Sequence, residues 1–288
     1  MSDRDDGTDR SNDTGRSTGT DRSNGGRPRV AFFDFTGCEG DQLQVINLEE
    51  RLLDLADIVE IASFREASSA DSDDYDIAFV EGSITTPHDA ERLTEVRENA
   101  DSIVTIGSCS SFGGINAMRN GEDQREVREE VYGDAADRFD DPDDDLFESF
   151  ERAKPASDIV EVEHEIPGCP IDRDEFVQVV RALIEGVPPN VPNHPVCLEC
   201  KFEENVCAFN RGQVCLGPIT RGGCGADCIA EGTRCWGCRG TVDDPTIDAF
   251  TDVLEGTGYD LDDVRREFAL YWGDEVSAEI AEPAEVVR

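Results

Sequence analysis

The sequence predicts an α/β fold, with a parallel sheet covered by helices, followed by a smaller segment that lacks an ordinary core. Short apolar runs alternate with amphipathic segments through about two thirds of the chain, and this alternation is typical of βα units. A proline-rich stretch, residues 187–195, ends the alternation. Residues 196–240 are rich in cysteine and glycine with little hydrophobic periodicity, so they need another source of stability.

Five apolar runs supply the strands of the predicted sheet, and three amphipathic segments supply helices. The predicted strands are residues 29–35, 57–64, 75–82, 102–107 and 158–166. The predicted helices are residues 41–56, 86–100 and 172–189. The second of these starts with Thr, Pro and acidic residues, as helices commonly do. Flavodoxin has this kind of architecture, so we expect a flavodoxin-like domain.

Composition divides the chain into four parts. Residues 1–27 are polar, with a Ser, Thr, Asp and Gly bias and almost no apolar side chains, which predicts a disordered tail. The flavodoxin-like domain is expected over residues 28–190 and the cysteine-rich segment over residues 191–242. Two amphipathic helices are expected within residues 243–288. The acidic stretch 120–155 is expected to be a surface loop or a solvated helix.

The formal net charge of −40 limits the classes of partner. Such a field repels nucleic acids and anionic lipids, so neither is expected to bind. Only two of the 26 basic residues are lysines, Lys154 and Lys201. An acidic surface with little lysine suits strong salt, where charge repulsion is screened, and we interpret it as halophilic adaptation. Residues 193–241 are an exception, with five basic and five acidic residues and no net charge.

The cysteines are expected to be reduced or bound to metal. The sequence has no apolar stretch of about 18 residues and no apolar leader, so neither a membrane span nor a secretory signal is predicted. A cytoplasmic location follows, where disulfides are rare. The odd count of 11 cysteines also disfavours a framework of disulfides.

Three cysteines each follow a predicted strand, in loops that contain Gly or Pro. These are Cys38, Cys109 and Cys169. Open parallel sheets build their sites at the carboxyl ends of strands, so we expect the three thiolates to converge at that edge. Three soft sulfur donors with one further ligand suit a 4Fe–4S cluster better than a zinc ion.

Asp41 stands three residues after Cys38, where a second cysteine often binds the same metal. A carboxylate can bind iron, although it is a harder donor than a thiolate. Aspartate is also a preferred N-cap, and a helix is predicted to begin at this point. The sequence therefore leaves two roles open for Asp41, ligand and helix cap.

Eight further cysteines predict two metal sites in the cysteine-rich segment. Eight thiolates complete two four-cysteine sites, and two 4Fe–4S clusters are favoured over two structural zinc ions. Spacing does not determine which four cysteines share a site. Trp236 and Phe209 are expected to shield these sites from water. The eight residues are Cys197, Cys200, Cys207, Cys215, Cys224, Cys228, Cys235 and Cys238.

Several motifs resemble the small subunits of NiFe hydrogenases. The stretches FDFTGCEGDQLQ, VEGSITTP, IGSCSSFGGINAMRN and IPGCPID occur in family order, and the cysteine-rich segment is similar to the two-cluster tail of the same subunits. The resemblance covers roughly residues 29–241. It is strongest to the cytoplasmic kind, the delta subunit of sulfhydrogenases and the gamma subunit of deazaflavin-reducing hydrogenases.

The resemblance implies a 4Fe–4S cluster proximal to nickel, held by Cys38, Asp41, Cys109 and Cys169. Many small subunits have Cys where this chain has Asp41, and an Asp ligand is known in the cytoplasmic branch. Two more 4Fe–4S clusters would lie in a ferredoxin-like segment. Glu39 and Glu81 lie in matching loops, and either could border a large subunit or simply be solvated.

The function implied is electron transfer within a hydrogenase. Hydrogen would react at the nickel–iron site of a separate large subunit, because this chain offers no nickel ligands. Electrons would pass through three clusters to a flavin-, NAD(P)- or deazaflavin-linked subunit. A sulfur- or quinone-linked reductase and a zinc-knuckle scaffold are the alternatives. The adjacent cysteines of the related quinone-reductase subunit of respiratory complex I are missing here, which disfavours the quinone interpretation.

Overall fold

A computed structural model of the chain describes residues 26–140, 148–259, 264 and 267–272. Five strands form one parallel sheet: β1 (Arg29–Asp34), β2 (Glu60–Ser63), β3 (Ile77–Glu81), β4 (Ser102–Ile106) and β5 (His164–Ile166). Their order across the sheet is β2-β1-β3-β4-β5, which is the flavodoxin order. The predicted α/β class is confirmed.

Nine α-helices have defined bounds within the described residues. They are α1 (Gly40–Ile46), α2 (Glu50–Ala56), α3 (Pro87–Asn99), α4 (Gly107–Phe112), α5 (Gln124–Tyr132), α6 (Arg173–Glu185), α7 (Val196–Phe202), α8 (Asp227–Ala230) and α9 (Ile247–Thr257). Residues 267–272 are also helical. None of the helices in this part of the chain is long and apolar enough to cross a bilayer.

Apolar side chains cover both faces of the sheet. On one face, Phe32 and Phe79 stack with ring centroids 4.9 Å apart, and Phe176 of α6 packs 5.3 Å from Phe79. On the other face, Leu93 and Val96 of α3 pack against small and aliphatic residues of the strands. Burial on both faces fits the near-continuous apolar character of the strands.

Two predicted elements differ from the structure. The helix predicted over residues 41–56 is two helices, because Leu48 turns into the core and Glu49 adopts a left-handed φ of 55°. The strand predicted over residues 158–166 is only His164–Ile166. The side chain of Glu163 accepts the backbone N–H of Ile103 at 2.6 Å. In a longer β5 strand, a backbone carbonyl would accept this N–H group instead.

The acidic stretch contains more structure than a loop. Helix α5 and a 3₁₀ segment (Gly133–Asp140) occupy its first half, and a backbone bridge joins Ile84 to Lys154. Residues 1–25, which form almost all of the predicted tail, lie outside the described residues, as does most of 260–288. The domain limits drawn from composition stay predictions.

The cysteine-rich segment obtains a core from the helices that follow it. Leu216 and Ile219 pack with Phe250 and Leu254 of α9 and with Trp272. The indole Nε1 of Trp272 donates to the Gly237 carbonyl at 2.7 Å. The extra stability that the segment was expected to need therefore comes in part from the C-terminal helices.

Candidate metal centres

The sheet brings the three N-terminal cysteines to one edge. Cys38 follows β1, Cys109 lies in α4 directly after β4, and Cys169 follows β5. The thiol of Cys109 interacts electrostatically with Cys169, Asp41 and Cys38. These four side chains, which come from three separate loops of the sequence, are neighbours in space.

Hydrogen bonds join the loops that carry these side chains. The backbone N–H and the hydroxyl of Ser108 both donate to the Gly168 carbonyl, each at 2.7 Å. The Asn116 amide donates to the Thr36 carbonyl at 2.8 Å and to the Ser83 hydroxyl at 2.9 Å. It also lies 3.9 Å from Cys109 Sγ. The relative positions of the sulfurs are therefore set by polar contacts between loops.

Asp41 does not cap helix α1. The N-cap is Glu39, which makes no side-chain cap bond, and Asp41 lies in the first turn. Asp41 Oδ1 instead accepts the backbone N–H of Ile171 at 2.8 Å. Its Oδ2 lies 1.8 Å from the point where a Cβ on Gly107 would be. The cap role left open by the sequence is therefore wrong, and the carboxyl group points toward the loops of the cysteines.

Glu81 supplies the cap that Asp41 does not. Its two carboxyl oxygens accept the backbone N–H groups of Asp41 at 3.1 Å and of Gln42 at 2.9 Å, which satisfies two free donors of the first turn. Glu81 is only 2% exposed. It therefore fixes the backbone of Asp41 and is too buried to contact a partner. Glu39, by contrast, is half-buried.

Burial favours the protonated forms of Cys109 and Asp41 when no metal is bound. It raises the pKa of Cys109 to about 12, with a smaller effect from the neighbouring Cys169. Burial and the charge of Glu81 raise the pKa of Asp41 to about 7. Metal ligands must be deprotonated, so binding of a cation at this edge would release protons.

Four cysteines of the later segment form a first neighbourhood. The thiol of Cys197 interacts electrostatically with those of Cys215, Cys200 and Cys207. A Cβ on Gly217 would lie 3.4 Å from Cys197 Sγ and 3.5 Å from Cys215 Sγ. These two sulfurs therefore face the same space, which a side chain at position 217 would fill.

Three of the remaining four cysteines form a second neighbourhood. The thiol of Cys238 interacts with those of Cys224 and Cys228. Cys235 stands at the boundary, because its thiol interacts first with Cys215 and then with Cys238. Its backbone N–H also donates to Cys215 Sγ at 3.3 Å.

The second neighbourhood adjoins the sheet edge. The backbone N–H of Cys169 donates to the Cys238 thiol, and the two thiols interact electrostatically. The Ser108 hydroxyl, which donates to the Gly168 carbonyl, also lies close to the Cys238 carbonyl. The Tyr271 hydroxyl donates to Cys169 and lowers the pKa of that thiol, against the larger effect of burial. The sheet-edge donors therefore adjoin the second neighbourhood, and the second neighbourhood adjoins the first through Cys235.

The donors fit iron–sulfur clusters in their chemistry. Eleven thiols and one carboxyl group are clustered in partly desolvated surroundings, and thiolate is the usual ligand of such clusters. Phe209 packs against the core around Cys215 and Cys235, while the ring of Trp236 lies 3.9 Å below the Arg234 guanidinium. Among the described residues, no group of three or more His, Cys, Asp or Glu side chains is arranged to hold a metal ion. The fit to iron–sulfur clusters is therefore a fit of donor type.

A sheet of flavodoxin order with three cysteines and a carboxyl group at its strand ends suits a redox subunit. The chain belongs to the family described as NADH ubiquinone oxidoreductase, 20 Kd subunit, whose model matches residues 38–183. It is similar to the delta subunit of sulfhydrogenase 2 from Pyrococcus furiosus. The two are 35% identical over 229 residues, which cover 79% of this chain and 92% of the relative.

Two further likenesses point the same way. A vhu subunit of the F420-non-reducing hydrogenase of Methanocaldococcus jannaschii is 30% identical over 237 residues, covering 75% of this chain and 82% of the relative. The solved structure of an NAD⁺-reducing NiFe-hydrogenase in the H₂-reduced state matches with a TM-score of 0.51 and 27% identity, over 58% of this chain and 96% of that chain. These findings confirm the predicted likeness to hydrogenase small subunits and the prediction of a hydrogenase-type oxidoreductase subunit.

Sequence reasoning missed several residues that build the site. Gly107, Asn116 and Tyr271 were not singled out, and neither was Arg239. Gly107 precedes Cys109 by two residues, and Arg239 directly follows Cys238, so proximity to a cysteine was the available signal. Tyr271 lies 102 positions from the thiol it contacts, counted on the sequence, and no local pattern links the two.

We expect Gly107→Ala to displace the Asp41 carboxyl group. Gly107 has a φ of 86°, and Gly258 has a φ of 89° with no atom within 4 Å of its Cβ position. Gly258→Ala is therefore the control, because it carries a left-handed strain of about 1–2 kcal/mol without a steric clash. Hydrogen exchange of the Ile171 amide should accelerate at least tenfold only in Gly107→Ala. Equal protection in the two variants would show that Asp41 does not depend on this glycine.

Proposed function

We propose that this chain is the electron-transfer small subunit of a NiFe hydrogenase, carrying electrons through three 4Fe–4S clusters. They would pass between the nickel–iron site of a large subunit and a flavin-, NAD(P)- or deazaflavin-linked acceptor subunit. The observation that carries the proposal is the succession of three donor groups from the sheet edge to the far side of the cysteine-rich segment. The clusters, when bound, would supply one-electron chemistry.

The contacts between thiols suggest how the donors divide among the clusters. The sheet-edge group is Cys38, Asp41, Cys109 and Cys169. The middle group adjoins it through the contact of Cys169 with Cys238 and consists of Cys224, Cys228, Cys235 and Cys238. The far group is the first neighbourhood described above, which consists of Cys197, Cys200, Cys207 and Cys215.

The chain's own residues would hold these groups in place and keep water away. Ser108 and Asn116 fix the loops at the sheet edge, and the Tyr271 hydroxyl supports Cys169. Burial raises the pKa of both Cys197 and Cys238 to about 12. Removal of these protons would accompany assembly of the clusters.

The sheet-edge end suits a large partner subunit. Cys38 and Cys169 are exposed there, although donors of a buried redox site are normally covered. Leu43, Ile115 and Met118 are exposed on elements next to the same loops. Apolar surface beside unshielded thiols is what a covering subunit would bury.

The far end suits the acceptor subunit. Leu198 and Phe202 lie four positions apart on α7, and Phe202 is 76% exposed. Val206 and the neighbouring Cys207 are also exposed. The charged neighbours of this patch have both signs, since Lys201 precedes Phe202 and two exposed glutamates follow it. Exposed apolar surface beside cysteine donors is what an acceptor subunit would cover.

The family description favours a second candidate, an iron–sulfur subunit of a quinone-linked reductase. That hypothesis keeps the same clusters and changes the partner, so the partner that co-purifies distinguishes it. A nickel-containing large subunit supports the hydrogenase, and a partner without nickel supports the second candidate. The cytoplasmic location and the halophilic adaptation stay predictions.

Metal analysis tests the presence of the clusters. Full-length protein purified without oxygen should contain roughly twelve irons per chain, three clusters of four, and should absorb broadly in the visible range. A zinc-knuckle scaffold would instead contain about two zinc ions and be colourless. A colourless preparation without iron would end the proposal.

Asp41→Ala should weaken the sheet-edge cluster, because it removes the only oxygen donor of the group. We expect loss of about one iron per chain and a changed EPR signal, with the other two clusters unaffected. Asp41→Cys restores a soft donor and should restore the iron content. Asp174→Ala is the control, since Asp174 is exposed and pairs with Arg51. An unchanged signal in Asp41→Ala would exclude Asp41 as a ligand.

Phe202→Glu should slow electron transfer to the acceptor subunit. The change places a carboxylate in the exposed patch on α7, and we expect about a tenfold loss of affinity for the acceptor subunit. Reduction of a small viologen dye by the same preparation should stay unchanged. Leu53→Glu is the matched control, because Leu53 is 69% exposed on the other domain. Equal effects of the two changes would place the acceptor elsewhere.

A further inference from the structure

Arg239 is the largest side chain that is fully buried in the described residues, with 2% exposure. Its guanidinium makes three hydrogen bonds of 2.6 Å. Nε donates to the Gly222 carbonyl, Nη1 to the Pro167 carbonyl, and Nη2 to Glu175 Oε2. The side chain is therefore held in one orientation by both parts of the chain.

These contacts lie between the sheet-edge and middle donor groups. Arg239 directly follows Cys238, and Pro167 precedes Cys169 by two residues. The positive charge of Arg239 acts on the thiol of Cys224. Gly223 leaves room for it, since a Cβ there would lie 2.5 Å from Arg239 Nη2.

Other charged groups also face the pair of Arg239 and Glu175. Glu175 is 7% exposed and also interacts with Asp172 and Arg221. Glu199 faces Cys224 with the opposite sign to Arg239. The oxygen Oε1 of Glu175 has no hydrogen-bond partner among the described residues, so Arg239 is the main stabilising neighbour of this carboxylate.

A purely mechanical link between the domains does not require a buried charge. Taking a guanidinium and a carboxylate out of water is costly, and apolar residues of similar volume often stabilise a fold equally well. An electrostatic role would account for a charged pair at this position. Reduction potentials of iron–sulfur clusters depend on the charge and hydrogen bonds around them.

We propose that Arg239 is a positioning residue whose fixed charge raises the reduction potential of the middle cluster, and that Glu175 moderates this effect. The inference rests on the proposed function. Reduction adds one electron, and hence one negative charge, to the cluster that Cys224 and Cys238 would hold. The nearby positive charge stabilises that reduced form, while the carboxylate opposes it.

The test is an EPR-monitored redox titration of the full-length, iron-loaded chain. Arg239→Gln should lower the midpoint potential of the middle cluster by about 59 mV, which is a tenfold change in the ratio of reduced to oxidised cluster. Glu175→Gln should raise it, because the positive charge is kept and the negative charge is lost. Arg125→Gln is the control, since it removes the same charge from the exposed helix α5, where Arg125 pairs with Glu129, and it should leave the potential nearly unchanged.

An electrostatic role predicts that the two variants shift the midpoint potential in opposite directions, and a structural role does not. A merely structural pair predicts that both variants shift the potential in the same direction or leave it unchanged, and either result overturns the inference. If Arg239→Gln fails to fold, Arg239→Lys keeps the charge with a poorer hydrogen-bonding geometry. It should retain the wild-type potential, and a large fall would contradict the inference. Absence of iron from the wild-type chain would instead refute the proposed function.

Discussion

The parallel alignment of β1, β3, β4 and β5 is the constraint on which the site at the sheet edge depends. Parallel strands end at the same edge, so the loops that follow them meet there. The register pairs Asp34 with Glu81 and Glu81 with Ile106, so β1, β3 and β4 end side by side. Without this alignment, thiols and carboxyl groups far apart in the sequence would not share one environment.

The second domain is organised differently, around its cysteines and the helices that cover them. Its regular structure consists of short helices, and its apolar core is shared with α9 and with residues 267–272. Contacts such as those of Ser108 and Arg239 then attach it to the sheet edge. The cysteine-rich segment is therefore joined to the sheet edge beside Cys169 and Cys238.

Much of this arrangement follows from local sequence. Hydrophobic alternation predicted the five strands, and the loops after them predicted where Cys38, Cys109 and Cys169 would meet. The break near Glu49 was not predictable from periodicity, because tertiary packing of Leu48 decides it. The role of Asp41 was left open for a similar reason. Its partner Ile171 and the helix cap from Glu81 come from distant positions. The spacing of residues in the sequence does not indicate such contacts.

The bond between Asp41 and Ile171 spans 130 positions, and this separation has a consequence for biosynthesis. Translation delivers Cys38 and Asp41 to the ribosomal exit long before the loop that carries Cys169. The amide that orients the carboxylate emerges later still. A nascent chain therefore exposes Cys38 and Asp41 without Cys169 and Ile171 while more than a hundred further residues are added, and the four side chains of the sheet edge meet only after the fifth strand has joined the sheet.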